Sequence, residues 1–316
     1  MFEPSCIFLD KKAYQNNISL LKNYVGDDVL FSAVMKGNAY GHGINYLLPM
    51  AEECGIHHFS VFSADEALRA VKASNGESSV MIMGMITNEQ LEWAIQHDIE
   101  FYIFDVDRLE AAIKMAKKQH KKARIHLQLE TGMNRTGIER NELGETASLI
   151  KNNRDHLKIS GICTHFAGAE SVGNYLRIEH QKKHFKVLCR WFRQKNIIPE
   201  RYHTACSAAI LNYPETIMDM VRVGIAHYGF WPNRETYMNV LKKNKSFEDI
   251  KDPLKRVISW KSRVMSIKKI DAGDYIGYGS TYLANREMTI ATVPVGYKHG
   301  FKRDLTNKGL VLIKGK

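Results

Sequence analysis

From about residue 29 to about residue 223, short β-branched or apolar runs alternate with longer segments whose apolar residues recur every three or four positions. The short runs are VLFSAVM (29–35), HFSVF (58–62), SVMIMG (79–84), EFYIF (100–104), RIHLQLE (124–130), LKISGICT (157–164), RYHTA (201–205) and DMVRV (219–223). Each has the length and composition of a buried strand. Between them HGINYLLPMAEECG, ADEALRAVKA, NEQLEWAIQ, VDRLEAAIKMAKKQ and RIEHQKKHFKVLCRWFRQK carry the apolar stripe of helices packed on a sheet. LDKKAYQNNISLLKNY (9–24) adds a helix before the first strand. Strands alternating with helices predict parallel βα units, and eight is the number that closes a TIM-like (β/α)8 barrel.

The texture changes after about residue 232. RETYMNVLKKNKSFEDIKDPLK is polar and reads as an exposed connector. Beyond it WKSRVMSIKKI, DYIGYGSTY, MTIATVPV and GLVLIKG alternate with turn residues, as the strands of a small β-domain do. The predicted organisation is an α/β chain: a barrel over residues 1–232, then a connector and an incomplete, mainly β domain over residues 233–316.

Composition narrows the picture. Hydrophobic residues at 44% and charged residues at 25% exclude disordered and collagen-like classes. The formal charge of +11 is spread over helical faces, and the densest basic run, Lys114 to Arg124, lacks the interleaved aromatics of a single-strand nucleic-acid binder. No apolar stretch approaches the ~20 residues of a membrane span. Five scattered cysteines form no CxxC pair or zinc spacing, so no metal site is expected. With no leader-like N-terminus either, the expected location is the cytoplasm.

Candidate chemistry gathers at the carboxyl ends of the proposed barrel strands, where barrel enzymes carry their active sites. Lys36 directly follows VLFSAVM and opens the Gly-rich segment KGNAYGHG. A lysine there is compatible with a Schiff-base role or with a solvated charge. Taken alone, His165 and His203 read as core histidines, Ser207 as a helix cap, Gly224 as a turn residue and Tyr278 as a strand tyrosine.

AVMKGNAYGHG resembles the alanine racemase signature, and the resemblance continues in order through LETGMNRTGI, THFAGAE, HTACSAAIL, VRVGIAHYG, YIGYGSTY, VPVGYKHG and GLVLIKG. It covers nearly the whole chain. It implies a pyridoxal phosphate (PLP) enzyme that racemises alanine to supply D-alanine for peptidoglycan, working as a homodimer with shared active sites. Lys36 matches the lysine that holds PLP covalently and serves as one base, and Tyr278 the second base, contributed by the neighbouring subunit on the opposite face of the substrate. Arg222 matches the arginine facing the pyridine nitrogen, which a guanidinium leaves unprotonated. His203 matches its buttress and His165 a residue lying against the cofactor ring. Tyr40, Ser207, Gly224 and Ile225 match the phosphate cradle. Arg135 matches the arginine near the phenolic oxygen and the substrate carboxylate, and Tyr297 a substrate-pocket tyrosine.

The chain departs from the family pattern at several points. Gln128 replaces an often carbamylated lysine, Glu130 an aspartate, Cys206 an asparagine, and Lys298-His299 an Ala-Asp pair. These changes imply that Arg135 is held differently. The sequence also stops before a Met-Asp pocket motif and a late tyrosine, as a fragment or a chain with an unusual end does. Three alternatives stay open: a serine or broad-specificity racemase, a racemase-like PLP binder with little turnover, and a PLP-binding homeostasis protein. GYGSTY and VPVGY argue against the last, which lacks the β-domain.

Overall fold

The computed structural model describes residues 4–243 and 252–315. These fall into two compact units, Asp10–Val257 and Met1–Leu9 with Ile258–Lys316.

The larger unit is the barrel. Its strands are β2 (Leu30–Val34), β3 (His58–Val61), β4 (Ser79–Ile82), β5 (Glu100–Ile103), β6 (Ala123–Gln128), β7 (Leu157–Cys163), β8 (Arg201–His203) and β9 (Met220–Val223). They pair in parallel in the order β8-β7-β6-β5-β4-β3-β2-β9. Seven lie within the runs that hydrophobicity marked, and β6 begins one residue before its run. The seam between β8 and β9 has no ladder. It is held by one parallel bridge, Cys206 to Arg222, in which the Arg222 N–H donates to Ala205 O at 3.0 Å.

Strand positions buried on both faces, such as His58–Val61 and Glu100–Ile103, are those expected where helices cover a barrel. The helices start where side-chain oxygens take up otherwise unpaired N–H groups. Asp10 accepts from Ala13, Ser63 from Glu66, and Asp105 from Arg108. Apolar stripes then turn inward: Leu109, Ala112, Ile113 and Ala116 are the buried residues of Val106–Gln119.

The connector is not wholly irregular. Arg234–Lys243 is a helix that buries Thr236 and Val240, a contact that its sparse apolar residues concealed. Residues 244–251 of that segment lie outside the described residues.

In the smaller unit β1 (Ser5–Leu9), which the hydrophobic pattern did not separate from the barrel, pairs antiparallel with β10 (Ile258–Ser262). WKSRVMSIKKI is divided between β10 and β11 (Ser266–Ile270), and β11 pairs with β14 (Met288–Thr292). DYIGYGSTY gives two short strands, β12 (Tyr275–Ile276) and β13 (Tyr282–Leu283), around a turn. GLVLIKG, expected as a strand, is not one: it enters no ladder with the described residues, and Leu310, Val311, Leu312 and Ile313 are exposed. Strand propensity becomes a strand only where a second segment meets its backbone groups.

Candidate active site

β2 ends in a left-handed turn. Gly37, Asn38, Ala39 and Tyr40 have φ of 62°, 53°, 56° and 51°, a conformation costing about 1–2 kcal/mol for each residue with a Cβ. Neighbouring groups hold it. Glu66 accepts the Gly37 N–H at 2.6 Å and the Phe62 N–H at 2.8 Å, while Asn38 Oδ1 accepts the Ile44 N–H at 3.0 Å. The turn fixes Lys36 at the carboxyl mouth of the barrel.

Lys36 lines a cavity of about 690 Å³ there, together with Tyr40, Arg135, His165, Ser207, Arg222, Gly224 and Ile225. Eight of the nine barrel-unit residues named for chemistry thus meet in one place, and the ninth, His203, is buried against Arg222. Tyr278 and Tyr297 belong to the smaller unit, Tyr278 in the β12–β13 turn and Tyr297 opening a 3-10 turn, and both side chains are exposed. The cavity also takes in residues that sequence reasoning had not selected, among them Met83, Met85, Tyr102, Arg108 and Thr164.

Arg222 is buried and anchored four times. Nη1 donates to Tyr102 Oη and to His203 Nδ1, both at 2.8 Å, and Nη2 donates to Thr164 O at 2.7 Å and Thr204 O at 3.0 Å. A guanidinium has five N–H donors. The four on its terminal nitrogens are therefore spent on the protein, and Nε–H is left over on a side chain that lines the cavity.

The electrostatics follow from burial. Desolvation, with the cations of Arg222, Arg135 and Lys36 around it, lowers His165 to about 3, so its imidazole is neutral at physiological pH. His203 is likewise held well below the usual histidine range, by burial first and Arg222 second.

Ser207 starts the short helix Ser207–Asn212, and its Oγ accepts the N–H of Gly224 at 2.9 Å and of Ala226 at 3.4 Å. At Gly224 an added Cβ would stand 3.1 Å from Tyr40 Oη and 3.9 Å from Ser207 Oγ. Two hydroxyls and a missing side chain make a small polar cradle.

The departures from the family pattern have local explanations. Gln128 is buried and turned to Thr136: its Nε2 donates to Thr136 O at 3.0 Å and Oγ1 at 3.1 Å. It thereby holds the residue next to Arg135. The Glu130 carboxylate accepts the N–H groups of Gly132, of Met133 at 2.8 Å and of Asn134 at 2.9 Å, which orders the loop leading to Arg135. Cys206 is half-buried and lines the cavity. No helix among the described residues is long and apolar enough to cross a membrane.

The family model for the N-terminal domain of alanine racemase matches residues 9–232, and that for the C-terminal domain matches residues 257–316. An alanine racemase of Leptospira interrogans is 34% identical over 320 residues, spanning 99% of this chain and 78% of the relative. Among solved structures, the alanine racemase of a D-cycloserine-producing Streptomyces lavendulae superimposes with a TM-score of 0.89 at 26% identity, over 100% of this chain and 80% of that one. The Bacillus anthracis alanine racemase with bound L-Ala-P gives 0.84 at 30% identity, over 96% and 76%.

Proposed function

We propose that this chain, which belongs to the alanine racemase family, interconverts L- and D-alanine with PLP held in the barrel cavity, and so supplies D-alanine for peptidoglycan. The convergence of Lys36, His165, Ser207 and Arg222 on one cavity is the observation that carries this reading.

The residues present fit the cofactor. Lys36 Nζ would hold it covalently, and Tyr40 and Ser207, with the space left at Gly224, suit its phosphate. Arg222 offers its one remaining donor to an acceptor such as a ring nitrogen. When bound, PLP supplies the electron sink that makes the substrate α-hydrogen acidic.

The chain's own groups do the rest. Arg222 keeps its protons at ordinary pH, so an acceptor facing Nε–H gains none. His165, neutral, flanks the cavity without adding charge. Arg135 binds the substrate carboxylate, and Tyr297 borders the substrate pocket of the assembled enzyme. Lys36 Nζ takes or returns the α-proton on one face, and the Tyr278 hydroxyl of a second copy does so on the other. Proton removal on one face and return on the opposite one inverts the centre.

The test is conversion of L-alanine to D-alanine by the purified chain with PLP, read beside the visible absorbance of the bound cofactor. Lys36→Ala should abolish both. A Lys36→Ala protein that keeps the band, or a cofactor-loaded chain with no turnover, overturns the proposal.

A further inference from the structure

The barrel interior beneath Arg222 is not apolar. His203 Nε2 lies 2.9 Å from His126 Nδ1, and His126 Nε2 lies 2.7 Å from Glu100 Oε2. His58 Nε2 meets the same oxygen at 3.2 Å, and Arg124 pairs with Glu100 Oε1. His58 Nδ1 continues to Ser32 Oγ at 2.8 Å, which lies 2.6 Å from Ser60 Oγ. Glu100, His58, His126 and His203 are all buried.

Proton bookkeeping along this line allows one arrangement. Arg222 Nη1 can only donate, so His203 Nδ1 must accept and the neutral ring carries its proton on Nε2. That proton is given to His126 Nδ1, so His126 also carries its own on Nε2, facing Glu100. The line needs a terminus that only accepts, which an ionised carboxylate is. Burial raises the Glu100 carboxyl, but the bonds from His126 and His58 outweigh it and hold the group well below the usual carboxylate range. Burial keeps both His126 and His203 neutral.

The space for the line is built in. A Cβ at Gly161, on the strand between those of His126 and His203, would stand 2.2 Å from His126 Nδ1 and 2.9 Å from His203 Nε2. Any side chain there would occupy the hydrogen bond itself.

We propose that Glu100 is a positioning residue for Arg222: acting through His126 and His203, its carboxylate fixes which ring nitrogens carry protons and so keeps the guanidinium anchored with Nε–H free for the cofactor. The role rests on the proposed PLP site, but the hydrogen-bond line exists in the chain without it. Arg124 can only donate, so Glu100→Gln would turn its amide oxygen to Arg124 and its N–H to the histidines. His126 must then turn acceptor toward residue 100, His203 must follow, and an N–H would confront Arg222 Nη1.

The experiment is 15N NMR of the histidine rings in the holoenzyme and the cofactor-free protein, assigned with His126→Gln and His203→Asn. In the unaltered protein both rings should be neutral with the proton on Nε2. Glu100→Gln and, from the opposite direction, Gly161→Ala should each shift His203 away from that tautomer. Each should also displace the visible band of bound PLP and lower kcat by about tenfold, the scale on which outer hydrogen-bond partners of metal-binding histidines act. KM for alanine should move little. His203 protonated on Nδ1 in the unaltered protein overturns the proposal with no variant needed, as does an unchanged His203 signal in folded Glu100→Gln. An enzyme that racemises alanine with the wrong tautomer sinks the relay alone; the right tautomer in a chain that does not racemise alanine sinks the functional reading alone.

Discussion

The carboxylate of Glu66 accepts the backbone N–H of Gly37 at 2.6 Å. A helix following β3 thus holds the left-handed turn that follows Lys36 at the end of β2. Glu66→Ala removes the acceptor and leaves the turn to bear its own conformational cost. The expected result is a loss of about 1–3 kcal/mol in urea unfolding with weaker PLP binding. Unchanged midpoint and unchanged cofactor affinity would show that the turn is held by other groups.

Gly224 borders the proposed phosphate cradle. With a Cβ 3.1 Å from Tyr40 Oη, Gly224→Ala crowds one of the two hydroxyls. PLP affinity should fall about tenfold, or about 1.4 kcal/mol, while the fold stays intact. Titration of the cofactor-free protein with PLP measures it, and an unaltered Kd would place the phosphate elsewhere.

Tyr278 is proposed to act on one substrate face only. In deuterated water Tyr278→Phe should suppress exchange of the α-hydrogen from one enantiomer far more than from the other. Equal losses from L- and D-alanine would contradict a two-base scheme.

Buried neutral histidines make stability depend on pH. Burial, with His42 acting in the same direction, lowers His227 from 6.5 to about 3 against a bond to Val34 O that raises it. Between those values the unfolded chain binds the extra proton, so the stabilisation is complete above pH 6.5 and is lost as pH falls toward 3. One such histidine contributes a slope of about 1.4 kcal/mol per pH unit. Urea midpoints between pH 7.5 and 4.5 should fall with acidity, and less steeply in His227→Gln. Equal slopes in the two proteins would rule out His227 as a source.

Much of the site was legible because its chemistry sits in compact motifs. Lys36 and Tyr40 lie in one turn, and Arg222, Gly224 and Ile225 in one strand end, so a local pattern names them together. The Glu100 line was not legible as a line. Its members sit on β3, β5, β6, β8 and β9, far apart in sequence, and each looks like an isolated polar residue in an apolar run. Their alternation, His58 with Ser60, Glu100 with Tyr102, His126 with Gln128, was visible as a period of two. It gained meaning only when parallel pairing stacked those positions inside one barrel. The missing strand at GLVLIKG has the converse cause, since propensity is local and pairing is not.

By itself the amino-acid order determined which barrel segments are buried strands, how many there are and which helices cover them, because hydrophobic period acts over a few residues. Tertiary structure alone decided that Arg222 has a single donor to spare, that Glu66 holds the lysine turn, and that Gly161 admits two touching imidazoles. Those are distances between elements far apart in the chain, and a distance of 2.9 Å between residues 126 and 203 exists only once the strands have assembled into the sheet.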